Sequence, residues 1–166
     1  MRFILLSIML YITLPAHAQQ KCELPDSTYW VCADSGSLLH VGLDTIKIQI
    51  ATKESRLTAV LFSKHNRQKG WAAGIDAKAN NPILMQTKDG GKSWSYVLLP
   101  PAMKGEEPEY LAEAKPGNLF IVMKSGLVLK SNDGGLNFIR TPRPKDPAYG
   151  KVVKQKALQS LGEKKK

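Results

Sequence analysis

Two stretches of this sequence combine an acidic side chain with a pair of glycines. They are TKDGGKSW, from Thr87 to Trp94, and SNDGGLNF, from Ser131 to Phe138. An acid and a flexible backbone suit a catalytic or calcium-binding loop, but calcium takes about six to eight oxygen ligands and a lone Asp-x-Gly supplies too few. The same residues suit a tight hairpin, because Asp-Gly-Gly permits positive φ and the carboxylate accepts hydrogen bonds from free backbone N–H groups. We therefore predict structural roles for Asp89 and Asp133, and no metal site.

The other candidates for catalysis form no recognisable arrangement. His40 and His65 have no Ser or Cys nucleophile in a recognisable turn, which argues against a catalytic triad. A glycosidase needs two carboxylates about 5 to 10 Å apart across a pocket. Glu54, Asp76 and the acids of Glu106–Glu109 have no spacing that singles out such a pair. We therefore predict no catalytic residue and no cofactor.

The two glycine-rich stretches belong to a repeat that extends beyond them. A shift of 44 residues places Thr87 on Ser131, and it places the apolar residues Ile83–Met85 on Leu127–Leu129. Self-similarity at a fixed period is the signature of a repeat architecture, in which each copy is one supersecondary unit. The two stretches are therefore predicted to be equivalent hairpins in successive units.

The repeat also extends upstream, and a third copy precedes both of these. GWAAG at Gly70–Gly74 corresponds to LFIVM at Leu119–Met123. A shift of 90 residues places YWVCADSGSLL, at Tyr29–Leu39, on the same region of the last copy. This first copy is degenerate, because Leu43 stands where Asp133 stands in the last one. The chain therefore contains three related units.

Each unit contains short strands separated by clusters of Gly, Asn, Asp and Pro. In the middle unit we predict strands at Leu57–Ser63, Trp71–Ile75, Ile83–Thr87 and Ser93–Leu99. Four strands in about 45 residues are typical of a propeller blade. No segment before the C-terminal region shows a sustained helical period of apolar residues. We predict an all-β fold, an about three-bladed, β-propeller-like repeat of four-stranded antiparallel units.

The hairpin motif resembles the Asp-box, or bacterial neuraminidase repeat, with the pattern Ser/Thr-x-Asp-x-Gly-x-Thr/Ser-Trp. This box occurs in sialidases, in sortilin-type receptors and in the propeller-shaped assembly factors of photosystem II. Asn137 and Phe138 replace the usual hydroxyl and Trp of the last copy. The resemblance implies that the box joins the third and fourth strands at the outer rim of a blade, away from the ligand face. The matching residues are Thr87, Asp89, Gly91, Ser93, Trp94, Ser131, Asp133 and Gly135, with Phe138 at the aromatic position.

The resemblance directs attention to the loops at the opposite end of each unit. These loops are Thr52–Arg56, Asp76–Asn81 and Pro100–Glu109. The polar side chains of Asp76–Asn81 suit a sugar or a peptide backbone, and Pro100–Glu109 carries a cluster of three glutamates. Loops are polar in most proteins, so the residues are candidates only. The candidate binding residues are Asp76, Lys78, Asn80, Asn81, Glu106, Glu107 and Glu109.

The arginine content favours a binding protein over an enzyme. The resemblance to sialidases implies three arginines around a substrate carboxylate, yet only Arg56 and Arg67 lie between the N-terminal segment and the basic C-terminal region. We therefore predict a non-enzymatic binding or assembly-scaffold protein, of which binding or inhibition of an envelope protein is one specific form. A glycan-binding module, or a sialidase- or glycosidase-like domain, is the alternative.

The N-terminal 18 residues have the pattern of a secretory signal peptide. Arg2 precedes an apolar run from Phe3 to Pro15, and Ala16-His17-Ala18 forms an A-x-A cleavage pattern. The run is shorter than the roughly 20 apolar residues that a membrane-spanning helix needs. We therefore predict a secreted or periplasmic protein without a transmembrane segment after cleavage.

Export also sets the expectation for the two cysteines, Cys22 and Cys32. An exported protein meets an oxidising compartment, in which two cysteines close in sequence tend to pair. We predict a disulfide between them, with two separate thiols as the alternative. Two cysteines without clustered histidines do not make a zinc pattern.

Positive charge is concentrated at the C-terminus. From Arg140 onward there are nine Lys or Arg residues against Asp146 and Glu163, out of a net charge of +10 for the chain. We therefore predict a domain at 19–139 followed by a basic, disordered tail at 140–166. This tail could contact an anionic surface, a polysaccharide or an acidic protein, or it could serve only as a solvated end. Nucleic acid is disfavoured, because an exported protein rarely meets it.

The domain is too short to close a propeller by itself. Residues 19–139 hold fewer than three blades of about 45 residues each, and closed propellers begin at about four blades. Uncovered sheet edges and faces invite pairing. Two chains could close a six-bladed ring, a protein partner could complete one, or the domain could remain a small open structure.

Overall fold

A computed structural model describes residues 21–33, 36–51, 54–101 and 103–141 of the chain. The predicted signal peptide at 1–18 lies outside the described residues, and so does the predicted tail except for Arg140 and Thr141. No described residue belongs to a helix. The described part of the chain therefore contains no helix that is long and apolar enough to cross a membrane.

The described residues form three four-stranded sheets, one for each sequence unit. In every sheet the strands follow one another in chain order and pair with antiparallel neighbours. The predicted all-β architecture of four-stranded antiparallel units is therefore confirmed. The first sheet contains β1 (Lys21–Glu23), β2 (Tyr29–Ala33), β3 (Ser37–Val41) and β4 (Ile46–Ala51). The second contains β5 (Ser55–Phe62), β6 (Gly70–Asp76), β7 (Pro82–Thr87) and β8 (Ser95–Val97). The third contains β9 (Pro108–Lys115), β10 (Asn118–Met123), β11 (Val128–Ser131) and β12 (Ile139–Arg140).

Each strand of the middle unit overlaps its predicted segment. The bounds of β5, β6 and β7 differ by one or two residues, and those of β8 differ most. The prediction extended the last strand from Ser93 to Leu99, whereas β8 covers only Ser95–Val97. The backbone N–H of Ser93 is engaged in the preceding hairpin. Pro100 follows Leu99 directly and disfavours continuation of the ladder. β8 therefore begins later and ends earlier than the apolar pattern suggests.

Strand register confirms the equivalence of the three units. Tyr29 pairs with Val41 in the first sheet, Gly70 with Thr87 in the second, and Leu119 with Ser131 in the third. These pairs are related by the sequence shifts that define the repeat. The first unit has lost the glycine-rich hairpin, because the chain turns from β3 to β4 within residues 42–45.

Two apolar cores hold the sheets together. Successive side chains of β6 point to opposite faces of the second sheet, as in any strand. Trp71 and Ala73 pack in the core shared with the third sheet, and Ala72 packs in the core shared with the first. The second sheet is therefore buried on both faces, and the first and third sheets are its two neighbours.

The predicted disulfide is wrong, since both Cys22 and Cys32 are free thiols. Cys22 lies opposite Trp30 across β1 and β2, so Cys32 is its diagonal neighbour, two residues further along β2. Diagonal neighbours are about 7–8 Å apart, whereas a disulfide needs Cβ atoms within about 4.5 Å. Cys22 Sγ instead accepts a hydrogen bond from the backbone N–H of Phe62 at 3.2 Å.

Candidate functional site

The connections of the sheets fall into two groups at opposite ends of the strands. The antiparallel order places the β7–β8 and β11–β12 hairpins at one end, together with the β5–β6 and β9–β10 turns. We call this end the hairpin face. The β6–β7, β8–β9 and β10–β11 connections lie at the other end, which we call the loop face. The predicted loops Asp76–Asn81 and Pro100–Glu109 therefore share one face of the molecule, and the described residues 54–56 of the third predicted loop lie at the same end of β5.

The glycine-rich hairpin of the second sheet is built around Asp89. Asp89 Oδ1 accepts hydrogen bonds from Thr87 Oγ1 at 2.8 Å and from the backbone N–H of Ser93 at 2.9 Å, while Oδ2 accepts from Ser93 Oγ at 2.5 Å. Thr87 Oγ1 in turn accepts from the backbone N–H of Gly91 at 2.8 Å. The bonds from Ser93 and Thr87 lower the pKa of Asp89 to about 2. Trp94 Nε1 closes the hairpin by donating to the carbonyl oxygen of Gly91 at 3.1 Å.

The hairpin of the third sheet repeats this network with two exchanges, Asn137 for Ser93 and Phe138 for Trp94. Asp133 accepts from Ser131 Oγ at 2.6 Å and from the backbone N–H of Asn137 at 3.0 Å. Asn137 Nδ2 donates to Asp133 Oδ2 at 2.8 Å, in the role that Ser93 Oγ has in the second sheet. The bonds from Asn137 and Ser131 hold the pKa of Asp133 well below its usual range. Gly135 N–H donates to Ser131 Oγ at 2.9 Å, and Phe138 is buried in the adjoining core.

The hydrogen bonds of both carboxylates are therefore directed to the hairpins themselves. Among the residues that the structure describes, no group of three or more His, Cys, Asp or Glu is arranged to hold a metal ion. The arrangement suits a structural clasp rather than catalysis.

The two histidines have structural surroundings. His40 stacks on Trp30 with ring centroids 4.5 Å apart, and its Nε2 lies 3.1 Å from Thr28 Oγ1. His65 follows the end of β5, and its backbone N–H donates to Ser63 Oγ at 3.2 Å. Thr28 Oγ1 donates its proton to Asp26 Oδ1 at 2.7 Å, so this hydroxyl is not directed at His40 as a nucleophile at its base would be.

Backbone hydrogen bonds tie the predicted binding loops to one another. The N–H of Gly105 donates to the carbonyl oxygen of Asn80 at 2.7 Å, and the N–H of Ala77 donates to that of Glu54 at 2.7 Å. The N–H of Lys124 donates to the carbonyl oxygen of Glu107 at 2.9 Å. The loop face is therefore a connected surface that spans the second and third sheets.

The candidate residues of the β6–β7 loop differ in what they can offer a ligand. Asp76 Oδ1 accepts from the backbone N–H groups of Lys78 and Ala79 at 2.9 and 2.7 Å, so it shapes the turn. Lys78 forms an exposed ion pair with Glu54. Asn80 has a positive φ of 53°, and both Asn80 and Asn81 are exposed. The amides and the lysine are the groups that a ligand can reach.

Glu107 is the centre of a charge cluster on the loop face. Its Oε1 lies 2.8 Å from Arg56 Nη1 and 2.6 Å from Lys124 Nζ. The carboxylate side chain is only 16% exposed, whereas Arg56 and Lys124 are 49% and 53% exposed. Burial opposes ionisation, but the hydrogen bonds and charges of both cations outweigh it and keep the pKa of Glu107 below its ordinary value. The cluster thus presents two fixed cations on a half-buried anion.

The other acids of the predicted set are placed separately. Glu106 accepts a hydrogen bond from Ser125 Oγ, and Glu109 is half-buried in β9. Nothing in the sequence indicates that Lys124 and Ser125 join this set. They follow β10 in a loop of the last unit, and only the folded arrangement of the sheets brings them to the acids of the β8–β9 connection.

A groove between the second and third sheets is likewise not indicated by the sequence. It has a volume of about 460 Å³ and lies between β8 and the hairpin of the third sheet. Tyr96, Leu98 and Leu136 line it and are 65%, 92% and 56% exposed. Exposed apolar residues scattered in sequence have no periodic signal, so this groove could not be predicted.

Comparison with solved structures places the architecture in a known class. A YCF48 structure with a bound D1 peptide matches with a TM-score of 0.59 and 22% identity, over 76% of this chain and 40% of that chain. YCF48 from Cyanidioschyzon merolae matches with a TM-score of 0.57 and 24% identity, over 81% and 43%. An ancestral GH74 enzyme matches with a TM-score of 0.60 and 18% identity, over 74% and 18%.

These structures are β-propellers. The chain has the fold of a partial β-propeller. No family model and no curated protein matches it. With identities below 25%, the similarity concerns the fold, and the chain spans less than half of each YCF48 chain. The predicted partial, about three-bladed propeller-like repeat is confirmed, and its three sheets correspond to blades.

Proposed function

We propose that the protein is an exported, non-enzymatic binding or assembly protein that holds a protein partner on its loop face. The cluster of Arg56, Glu107 and Lys124 is the observation that carries this proposal. Its two cations are half exposed, and the Glu107 carboxylate fixes them in place. Fixed charges lose less conformational entropy on binding than free side chains do. The cluster is therefore suited to carboxylates or backbone carbonyls of a polypeptide.

The fold gives independent support for a polypeptide ligand. One of the YCF48 structures that this chain resembles contains a D1 peptide. The hairpins that resemble Asp-boxes lie at the opposite end of the strands, and their carboxylates are occupied within the hairpins. The loop face retains polar groups that a ligand can reach, among them Lys78, Asn80 and Asn81.

A pair of charge-matched double variants tests the proposal. Arg56→Ala with Lys124→Ala removes two cations from the loop face, and Arg67→Ala with Lys92→Ala removes two exposed cations from the hairpin face. Tagged full-length proteins are recovered from the envelope of the native host, and the co-purifying proteins are identified by mass spectrometry. We expect the first variant to lose a partner that the second retains.

Two results would contradict the proposal. Loss of the same partner from both variants would assign the interaction to net charge. Turnover of aryl glycosides, abolished by substitution of a loop-face carboxylate, would show an enzyme instead. Export is tested in the same preparation, because cleavage after Ala18 yields a mature chain that begins at Gln19.

A further inference from the structure

The third sheet has an apolar face that points away from the other two sheets. Tyr110 pairs with Val122, and Val122 pairs with Val128, so these three side chains share that face. They are 5%, 2% and 2% exposed and form a cluster with Ala112, against which the half-buried Phe120 packs. We call the surface formed by these five residues the outer face of the third sheet.

No described strand explains this burial. The described strands that pack against the third sheet are β5 and β6 of the second sheet. They meet its opposite face, whose residues Leu119, Ile121 and Leu129 lie in the shared core. Outward side chains on an uncovered sheet point straight into solvent, so an exposure of 2% for a central valine requires a cover.

The chain leaves the described region beside this outer face. Thr141 follows β12, and both its backbone N–H and its Oγ1 donate to the carbonyl oxygen of Val128, at 2.9 and 2.8 Å. Val128 itself belongs to the outer face. Residues 142–166 therefore begin at the edge of the surface that needs a cover. Ten extended residues span about 33 Å, which exceeds the width of roughly 15 Å of a four-stranded sheet.

The remaining sequence carries the apolar side chains that such a cover needs. The segment Val152–Leu161 contains Val153, Ala157 and Leu161 at four-residue spacing, together with Leu158. In a helix these residues would lie within one arc of about 140°, with Lys156 on the opposite side. Lys154 would lie inside this arc, and its long side chain can extend the charged end to water.

The third sheet also lacks one hydrogen-bonding residue that joins the second sheet to the third. In the second sheet Gln86 donates to the carbonyl oxygen of Gly134 in the third sheet at 2.9 Å. The equivalent residue of the third sheet is Lys130, whose Nζ instead lies 5.9 Å from the ring centroid of Phe120. A charged side chain at this position disfavours another closely packed sheet, as in the terminal repeats of other repeat proteins.

We propose that residues 142–166 cover the outer face of the third sheet, with the apolar residues of Val152–Leu161 in contact with Phe120 and its neighbours. The chain thereby caps its own last blade, and this face is closed to a second copy. This inference is independent of what the loop face binds.

Photo-crosslinking from the full-length protein tests the cap. Phe120 is replaced by p-benzoylphenylalanine, which keeps an aromatic side chain at this half-buried position, and cross-linked peptides are mapped by mass spectrometry. We expect an intramolecular link from position 120 to residues 142–166. A link between two chains, or no link to this segment, would overturn the proposal. Tyr96, 65% exposed on β8, is the control site and should not link to the segment.

Two double variants test whether the apolar residues make the contact. In the labelled protein, Leu158→Asp with Leu161→Asp should abolish the link, whereas Gln159→Asp with Ser160→Asp adds the same charge and should retain it. Circular dichroism verifies that both variants keep the β fold. Retention of the link in both variants, or its loss from both, would contradict an apolar contact.

Discussion

Trp71 packs so closely on Gly135 that a Cβ atom on this glycine would lie 2.6 Å from Trp71 Nε1. Trp30 and Gly91 have the same relationship, with 2.4 Å between the Cβ position and Trp30 Cη2. In both pairs the tryptophan belongs to one sheet and the glycine to the hairpin of the next. The second glycine of each hairpin is therefore required by packing between sheets as well as by the turn.

We expect Gly135→Ala to destabilise the protein by about 2–4 kcal/mol. Gly135 has a φ of +89°, which an alanine adopts only with strain. The added methyl would also displace Trp71, and forcing an extra carbon into a packed core costs about 1–3 kcal/mol. The measurement is the free energy of unfolding in urea.

The adjacent Gly134 provides the control for this experiment. It has a φ of +77°, but nothing lies within 4 Å of a Cβ at this position. Gly134→Ala should therefore show only the backbone strain, about 1–2 kcal/mol. Equal losses at positions 134 and 135 would mean that Trp71 moves aside freely, and that the aromatic contact does not fix the sheets.

The hairpin carboxylates should make stability depend on acid pH. Asp89 has a pKa of about 2 in the folded protein, lowered from 3.8 by hydrogen bonds from Ser93 and Thr87. Between these values the unfolded chain binds more protons than the folded one, so this contribution is complete above about pH 4 and is lost as the pH falls toward 2. We expect Asp89→Asn to flatten the fall in urea midpoint over this range, because its neutral amide no longer titrates.

Asp44→Asn is the matched control for that measurement. Asp44 lies in the short turn of the first sheet, which has no Asp-centred hairpin. The variant should keep most of the acid dependence of the wild type. The role assigned to Asp89 would be rejected if both variants showed the same pH profile.

The sequence predicted the hairpins and the sheets because both leave local or periodic signals. Asp89 and Gly91 shape a turn through neighbours in the chain, and the repeat places the strands. The contact between Gly91 and Trp30 has no such signal, since it joins residues of different units. The cluster of Arg56, Glu107 and Lys124 is likewise assembled from β5, the β8–β9 connection and the β10–β11 connection. These features depend on how the sheets pack, and local or periodic patterns in a single sequence do not reveal that packing.

The sequence also failed to predict the state of the two cysteines, and this state can be tested directly. Burial raises the pKa of Cys22 and raises that of Cys32 to about 12, and thiols react as thiolates. We expect native protein to resist alkylation by iodoacetamide at pH 8, with Cys32 the slower of the two. In urea without reductant both should react. A disulfide would instead leave both cysteines unmodified in urea until reductant is added.

The charge cluster of the loop face should contribute modestly to stability. Glu107→Gln removes the charge that Arg56 and Lys124 share, and a double-mutant cycle with Arg56→Ala isolates the pair. We expect a coupling of about 1 kcal/mol, because the cations are half exposed and exposed ion pairs seldom exceed this value. The coupling should shrink in 1 M salt, which reduces the Debye length to about 3 Å.

Lys92 lies on the hairpin face, so the cycle of Lys92→Ala with Glu107→Gln should show no coupling. A coupling near zero for Arg56 as well would mean that Glu107 does not hold this cation, and the proposed preorganisation of the loop face would fail with it.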